Sequence, residues 1–384
     1  MTTPWGDLAL TRFPEDPRDQ LRAWDAADEY LLRHLDGIAP DATTVVLGDR
    51  WGALTTALAT AEPPHRPVQI TDSHLAQQAT RANLRRNGAD PDAVRLLSTR
   101  DTPPDRIDAL LIRVPKSLAL LEDQLHRLAP GVHADTVVVG TGMVTEIHTS
   151  TLKLFERILG PTRTSLAAKK ARLIFCSPDP AIPRTASPWP LSYALPDDIG
   201  AVSGRTVVNH AGIFCAERLD IGTRFLLRNL PPQPAPGADP RRIVDLGCGN
   251  GVVGTAMALA EPDAEVLFTD ESYQAVASAE ATFRANASSG SKAEFLVADG
   301  LSAIPAGTVD LVLSNPPFHS HQATTDATAR RMFTGSRDAL RPGGELWVIG
   351  NRHLGYHIRL RRIFGNCEIV SSNPKFVILR SVRN

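Results

Sequence analysis

A proline-containing loop follows directly after the apolar run at 309–313, and its groups could hold a planar amine. Its residues are Asn315, Pro316, Pro317 and Phe318. Because proline cannot donate to a β-ladder, this loop is a poor continuation of a strand. The side-chain oxygen of Asn315 and the carbonyl of Pro316 offer two acceptors for the two amine hydrogens, and Phe318 offers a face for a stacked base. We therefore predict that these four residues are catalytic.

Three alternating glycines form a second candidate site. Gly247, Gly249 and Gly251 end one apolar run and precede a helical pattern. Such glycines allow a tight turn, close approach of a ligand to the backbone, and free amides at a helix start. Alone, the pattern is compatible with a dinucleotide fold, a methyl-donor fold or a turn that only needs positive φ.

Two acids end the next apolar runs. Asp270 stands 19 residues after Gly251, the spacing at which a carboxylate binds ribose hydroxyls. Asp299 ends the third run, where it can meet an adenine edge. Each acid alone is more often a solvated strand end or a helix cap. Together with the glycines they indicate one nucleoside-shaped site, which a nicotinamide dinucleotide could also use.

The loop at 315–318 favours a methyl donor over a nicotinamide cofactor. The lone pair of an exocyclic amine is delocalised into its ring, which makes the amine a poor nucleophile. A methyl sulfonium group is already strongly electrophilic, so the protein need only align the amine and hold its hydrogens. The loop therefore predicts methyl transfer to a planar amine.

The two halves of the chain repeat one pattern, which indicates a duplicated domain. The matching segments occur in the same order in both halves, and each segment of the second half lies about 200 residues after its match in the first. The matches are Gly48 with Gly247, Asp72 with Asp270, and 108–117 with 310–319.

The first copy lacks the residues that could do chemistry. Where the second copy has alternating glycines, the first has Arg50 and Trp51, whose side chains would fill the space that a ligand requires. Where the second copy has the loop at 315–318, the first has RVPK at 113–116. We expect the first copy to be degenerate and the second to be catalytic.

These patterns predict an α/β chain of two tandem domains. A Pro-rich, irregular stretch separates the two regions that alternate apolar runs with helical patterns. The expected divisions are a degenerate domain at 1–176, a linker at 177–205 and a catalytic domain at 206–384.

The composition narrows the functional class. The formal net charge is −1, so no overall charge attracts nucleic acid or an anionic membrane. The 4 cysteines are scattered without a CxxC pair, which argues against a zinc site or a disulfide scaffold. The start has acids and prolines where a signal peptide would be basic and apolar. We expect a cytoplasmic monomer with no metal and no membrane partner.

The combined motifs resemble one known family. VDLGCGNG, SNPPFH, the segment NHAGIFCAERLDIGTRFLL and GNRHLGYHIRLRRIFG are similar to those of the bacterial ribosomal RNA guanine-N2 methyltransferases. The large-subunit branch is nearer than the small-subunit branch. The resemblance implies two tandem Rossmann-like class I methyltransferase domains from a duplication, with a C-terminal antiparallel pair at 346–349 and 376–379.

The resemblance also implies roles for individual residues, with S-adenosyl-L-methionine as the cofactor. The three glycines cradle its methionine part, and Asp245 lies near its amino group. Asp270 binds the ribose, Asp299 the adenine, and the loop at 315–318 the target guanine. The expected reaction is methyl transfer to the 2-amino group of one guanine in ribosomal RNA, in 23S rather than 16S RNA.

Ribosomal RNA, or a precursor of the ribosomal subunit, is the expected partner. A basic C-terminal stretch on a neutral chain is suited to phosphates, although a charge run is often only a solvated face. A degenerate domain that keeps its fold suggests an RNA-positioning body. The candidate contacts in the second domain are His319, Arg352, Arg359, Arg361, Arg362 and Lys375, and those in the first are Arg81, Arg85, Arg86, Lys169 and Lys170.

Three alternatives remain on the sequence alone. A glutamine-methylating enzyme uses a similar Asn-Pro-Pro loop, but the duplicated first half does not suit it. A DNA adenine or cytosine methyltransferase is expected to carry a target-recognition insertion. A non-catalytic ribosome-assembly factor would show no saturable affinity for S-adenosylmethionine.

Overall fold

The computed structural model describes residues 1–17, 19–35, 37–316 and 322–384, with only the backbone described at 322–326. The chain divides into two compact units, Met1–Trp189 and Pro190–Asn384. None of the helices in the described ranges has the length and apolarity that a membrane span requires. Three predicted site residues lie outside the described residues, namely Pro317, Phe318 and His319.

The first unit alternates strands and helices. Its strands are β1 (Thr2–Thr3), β2 (Gly6–Asp7), β3 (Thr44–Leu47), β4 (Val68–Thr71), β5 (Arg95–Ser98), β6 (Ile107–Arg113), β7 (Val132–Met143), β8 (Thr162–Thr164) and β9 (Ala171–Cys176). Its helices are α1 (Ala26–Leu32), α2 (Ala53–Ala59), α3 (His74–Arg86), α4 (Leu118–Leu128) and α5 (Thr149–Ile158). A 7-stranded sheet has the order β5-β4-β3-β6-β7-β9-β8.

The second unit repeats this plan. Its strands are β10 (Leu191–Ala194), β11 (Thr206–Asn209), β12 (Arg242–Leu246), β13 (Glu265–Asp270), β14 (Lys292–Val297), β15 (Val309–Ser314), β16 (Leu340–Asn351), β17 (Glu368–Ser372) and β18 (Phe376–Val382). Its helices are α6 (Ile221–Leu227), α7 (Val252–Ala260), α8 (Tyr273–Asn286), α9 (Gln322–Ala339) and α10 (Tyr356–Phe364). Its 7-stranded sheet has the order β14-β13-β12-β15-β16-β18-β17.

The central strands of the second sheet are parallel, so their carboxyl ends meet at one edge. Ile243, Val244 and Leu313 on these strands are fully buried, as expected for a sheet covered on both faces. Strands β16 and β18 pair antiparallel, with Ile349 opposite Ile378, which confirms the predicted C-terminal pair. Ligands of such sheets bind outside the carboxyl ends of the strands.

The predicted linker at 177–205 is divided between the units. Residues 177–189 belong to the first unit and residues 190–205 to the second. In the second unit β10 pairs antiparallel with β11, and Leu191 lies opposite Asn209.

Side chains of α8 hold strand β11 against this helix. The main-chain amides of two alternate residues donate to α8: that of Thr206 to Asn286 Oδ1 at 3.1 Å and that of Val208 to Thr282 Oγ1 at 3.0 Å. The helix positions are four residues apart and the strand positions two, and both spacings span roughly 6 Å. The helix therefore provides hydrogen-bond partners for the main chain of β11.

Candidate active site in the second unit

The glycine loop has the geometry that a bound ligand requires. Gly247, Gly249 and Gly251 have φ values of 73°, 53° and 73°, a region that favours glycine. A Cβ on Gly251 would lie 2.6 Å from Ala279 Cα, whereas a Cβ on Gly249 would meet no atom of the described residues within 4 Å. Gly251 thus permits tight helix packing, and Gly249 leaves open space beside the loop.

Helix α7 begins at this loop without a side-chain cap. Its N-cap is Gly251, which has no side chain to accept a hydrogen bond from the first turn. Amides at such a helix start can bind an anionic group. The carboxylate of Asp245 accepts from the amide of Gly254 at 2.8 Å, so Asp245 anchors the first turn of α7 from the buried strand.

Burial dominates the electrostatics of Asp245. Desolvation raises the pKa of Asp245 to about 7, although the hydrogen bond from Gly254 acts in the opposite direction. The resemblance places Asp245 near the amino group of the cofactor; in this structure its visible role is to hold the glycine loop and the helix together.

Asp270 lies at the carboxyl end of β13, beside the glycine loop. Its Oδ2 accepts from the amide of Gly249 at 3.1 Å, and its Oδ1 accepts from the amide of Ser272 at 3.0 Å. Desolvation raises the pKa of Asp270, and these amides oppose the shift. The two bonds fix the carboxylate at the sheet edge.

Asp299 follows β14 and pairs with a residue that the sequence did not single out. Arg331 on α9 places Nη2 at 3.3 Å from Asp299 Oδ1. The register of the strands, with Leu246 opposite both Thr269 and Ser314, brings the glycine loop and the two acids to the same edge as Asn315.

Asn315 follows β15, and its amide is oriented by α6. Asn315 Nδ2 donates to Thr223 Oγ1 at 3.0 Å. The hydroxyl and amide of Thr223 both donate to Asp220 Oδ2, at 3.3 and 2.8 Å. Because the single hydroxyl proton goes to Asp220, Thr223 must accept from the nitrogen of Asn315. Asn315 Oδ1 is buried and has no partner among the described residues.

The structure thus finds several site residues that the sequence did not identify. Thr223 orients Asn315, Arg331 pairs with Asp299, and Asn250 Nδ2 donates to Asn209 Oδ1 at 3.1 Å, which ties the glycine loop to β11. One sequence pattern could have identified Thr223: it stands three residues after Asp220, which is the spacing of a capped helix start.

The basic candidates for RNA contact are spread over the second unit. Arg352 and Lys375 lie together at the carboxyl edge, where the amide of Arg352 donates to the carbonyl of Lys375 at 3.1 Å. Arg359 lies within α10, 5.9 Å from the ring of Tyr356. Arg361 and Arg362 are exposed in the last turn of α10, which starts at the carboxyl edge and runs away from it.

Comparisons with known proteins fit this architecture. The family model described as the RLMG N-terminal domain matches residues 1–180, and that of the methyltransferase small domain matches residues 204–380. Among solved structures, T. thermophilus 16S rRNA N2 methyltransferase RsmC, in complex with AdoMet and guanosine, is similar with a TM-score of 0.76 and 19% identity. The match covers 100% of this chain and 97% of that one, and it confirms the predicted two-domain fold.

Curated relatives define the family. Ribosomal RNA large subunit methyltransferase G of Streptomyces avermitilis is 73% identical, with 100% of this chain and 99% of the relative covered. The protein of the same name from Aeromonas hydrophila is 44% identical, with 98% and 97% covered. The chain therefore belongs to the ribosomal RNA large subunit methyltransferase G family.

Proposed function

We propose that the second unit transfers the methyl group of S-adenosyl-L-methionine to the 2-amino group of one guanine in 23S ribosomal RNA. The observation that carries this proposal is the buried Oδ1 of Asn315, which has no partner among the described residues and lies at the edge that holds the glycine loop. A buried acceptor without a partner is costly, so its retention suggests a ligand donor.

The described residues fit S-adenosylmethionine. Open space beside Gly249 leaves room for its methionine part. The start of α7, whose N-cap Gly251 has no side chain, offers amides to its carboxylate. Asp270 stands where it can accept from ribose hydroxyls, and Asp299 with Arg331 lies at the next strand end for the adenine. The cofactor, when bound, supplies an electrophilic methyl group.

The catalytic role of the chain is to prepare the guanine amine. Asn315 Oδ1 and the carbonyl of Pro316 accept the two amine hydrogens, which withdraws the lone pair from the ring and favours the more tetrahedral transition state. Thr223 holds the Asn315 amide so that the oxygen, not the nitrogen, faces the amine. By the family resemblance, Pro317 and Phe318 continue the loop that holds the base.

RNA recognition must expose the guanine, because a paired base hides its amine. Arg352 and Lys375 lie at the carboxyl edge and are the best placed of the predicted phosphate contacts. The more distant Arg361 and Arg362 suit a longer stretch of the backbone. We infer that the first unit, with boundaries near residue 189, positions this RNA.

We further infer that the chain acts as a monomer without a metal, in the cytoplasm, on ribosomal RNA or a subunit precursor. Each chain holds one complete set of the residues named above. Light scattering of the purified chain should therefore give the mass of one copy, and activity should survive a chelator such as EDTA. A dimer, or loss of activity with EDTA, would contradict this inference.

The deciding experiment maps modified nucleosides in ribosomal RNA by mass spectrometry, with and without the gene. Loss of one 2-methylguanosine from 23S RNA, restored by the intact gene but not by its Asn315→Ala variant, is the expected result. An unchanged guanine profile with loss of a methylated adenine, or of a methylated glutamine in protein, would overturn the proposal.

A further inference from the structure

The first unit contains a cavity of about 390 Å³ that the methyl-transfer site does not use. A pocket of this size falls within the range that small ligands occupy. One wall is α4, a second is the loop after β5, and the third is the Pro-rich segment at 177–189. The residues that matter here are Arg100, Asp123, His126, Arg127, Arg184 and Trp189.

The Pro-rich wall is fixed to the unit by hydrogen bonds. His126 Nδ1 lies 3.0 Å from the carbonyl oxygen of Thr185 and donates to it. Ser187 Oγ donates to Asp123 Oδ1 at 2.6 Å. Arg184 Nη1 donates to the carbonyl of Ile158 at 2.9 Å. These hydrogen bonds therefore fix the Pro-rich wall of the cavity in place.

The charge of the cavity is positive. Arg127 and Arg184 donate to main-chain carbonyls, and neither forms an ion pair with a carboxylate in the described part of the chain. Arg127 Nε is buried without a described partner. The carboxylate in the lining, Asp123, is already engaged by Ser187 and by Gln124 at 2.8 Å. Planar guanidinium groups arranged in this way suit a phosphate.

An aromatic side chain completes the cavity. Trp189 lines it, and Trp189 Nε1 is buried without a partner among the described residues. Buried indole N–H groups usually donate to an acceptor, so this one indicates a ligand with an acceptor. An indole face beside arginines is the pairing with which proteins bind single-stranded nucleic acid, because it combines base stacking with phosphate contacts.

We propose that this cavity binds one nucleotide of single-stranded RNA, with its phosphate on Arg100, Arg127 and Arg184 and its base on Trp189. The inference rests on the proposed function only in taking that RNA to be ribosomal. An acidic peptide would satisfy the arginines but offers no planar base to the indole.

Photocrosslinking locates the contact directly. A 12-nucleotide oligouridine that carries 5-bromouridine is irradiated with the full chain, and crosslinked peptides are identified by mass spectrometry. We expect a crosslink at Trp189 that Trp189→Ala removes and Trp189→Phe, which keeps a stacking face, retains. Crosslinks confined to the second unit would overturn the proposal.

Binding of the same RNA, labelled with fluorescein, tests the arginines. Arg184→Gln should weaken affinity about tenfold and reduce the slope of log affinity against log salt by about 0.7, the value for one lost single-strand phosphate contact. Arg66→Gln, at an exposed arginine of the same unit, should leave both unchanged. Equal losses in the two variants would contradict the site.

A competitor separates RNA from peptide. A ten-residue glutamate peptide that displaces the RNA at equal concentration would overturn the RNA assignment in favour of a general acidic ligand. Unchanged S-adenosylmethionine affinity and unfolding midpoint in Arg184→Gln show that the variant is folded. These binding results stand even if nucleoside mapping contradicts the proposed methyl transfer, so the two failures are distinguishable.

Discussion

The two units share one framework down to single hydrogen bonds. The amide of Gly48 donates to the carbonyl of Ile70, and the amide of Gly247 donates to the carbonyl of Thr269. A Cβ on Gly52 would collide with Thr80 just as one on Gly251 would collide with Ala279. These contacts serve helix packing, so the degenerate unit needs them as much as the other unit does.

The clamp on the outer segment is also duplicated. In the first unit, Asn83 and Asn87 of α3 bond the main chain of Thr11 and Ala9. In the second, Thr282 and Asn286 of α8 bond the main chain of Val208 and Thr206 in the same way. The duplication therefore extends at least to Ala9, further than the matches between the two halves of the sequence.

The units differ where a ligand would bind. Leu47 lies opposite Ile112 and Leu246 opposite Ser314, so Arg113 occupies the position of Asn315. Arg113 is 1% exposed.

The guanidinium of Arg113 lies in a cluster of carboxylates. It contacts Asp25 at 2.6 Å, Asp28 at 3.3 Å and Glu146 at 2.9 Å. Arg50, at the position of Gly249, also pairs with Glu146 at 2.6 Å. An internal ion cluster fills the space that the second unit leaves open.

This comparison teaches that the sheet edge can be stabilised either by a ligand or by the chain itself. Asp25 is the N-cap of α1 and Asp28 lies within it, so Arg113 ties the N-terminal helix across the vestigial site. Although burial opposes it, the neighbouring arginines lower the pKa of Glu146 to about 2. The ion cluster therefore fills the position in the first unit that is equivalent to the candidate cofactor site, and we expect one S-adenosylmethionine site per chain.

The largest effect is expected from Asn315→Ala. Loss of the amine acceptor should lower kcat by about 10²- to 10³-fold, by analogy with the loss of one oriented catalytic hydrogen-bonding group. Affinity for S-adenosylmethionine, measured by calorimetry, and the free energy of unfolding should stay within error of the native values. An equal loss of cofactor affinity would show that Asn315 serves the cofactor rather than the amine.

Substitution at the equivalent position of the first unit should give the opposite phenotype. Arg113→Met leaves three carboxylates around an uncharged side chain, and breaking a buried ion cluster costs about 3–5 kcal/mol. Urea unfolding should show this loss, while affinity for S-adenosylmethionine is unchanged.

The matched control is Arg95→Met, at an exposed arginine of the same sheet, which should change stability by less than about 0.5 kcal/mol. Native stability of Arg113→Met would mean that the cluster does not hold α1.

A smaller effect is expected from Thr223, which stands three residues after the N-cap Asp220 of α6, as Asp28 stands three residues after the N-cap Asp25 of α1. Thr223→Ala frees the Asn315 amide to rotate, and we expect kcat to fall about tenfold with KM for S-adenosylmethionine unchanged. Thr223→Ser keeps the hydroxyl and should restore kcat. If serine fails to rescue, the methyl group of threonine and its packing matter more than the hydrogen bond.

Patterns within one segment predicted most of the framework. The apolar runs, the glycines and the constant offset between the two halves predict two similar sheets, because strands and tight turns depend on local side chains. The residue equivalence was less accurate at one point. The sequence match pairs Asp72 with Asp270, but the structural equivalent of Asp270 is Thr71, the last residue of β4, and Ser73 and Ser272 are the equivalent helix caps. The match is wrong by one residue because both segments contain the dipeptide Thr-Asp.

Contacts between distant segments could not be predicted in this way. Asn315 and Thr223 are 92 residues apart in the sequence, and neither segment carries a pattern that specifies the other. The ion pair of Arg331 with Asp299 likewise depends on how α9 packs over the sheet. Local motifs identify which residues can do chemistry; tertiary packing decides which neighbours orient them.

The last prediction compares two carboxylates that perform one structural task from different positions. Asp245 accepts from the amide of Gly254, and Asp49 accepts from the amide of Thr55, the third residue of α2 as Gly254 is of α7. Burial raises the pKa of both acids. A raised folded-state pKa gives stability that is present at low pH and lost as pH rises through the folded value, which for Asp245 is about 7.

Asp245→Asn keeps an oxygen for the Gly254 amide but removes the titration. Its free energy of unfolding, minus that of the native chain, should therefore increase as pH rises from about 4 to about 8. Asp49→Asn should show the same direction, since the cause is the same. If the difference between variant and native chain is flat with pH, Asp245 titrates alike in the folded and unfolded states, and its buried position at the helix start does not control its charge.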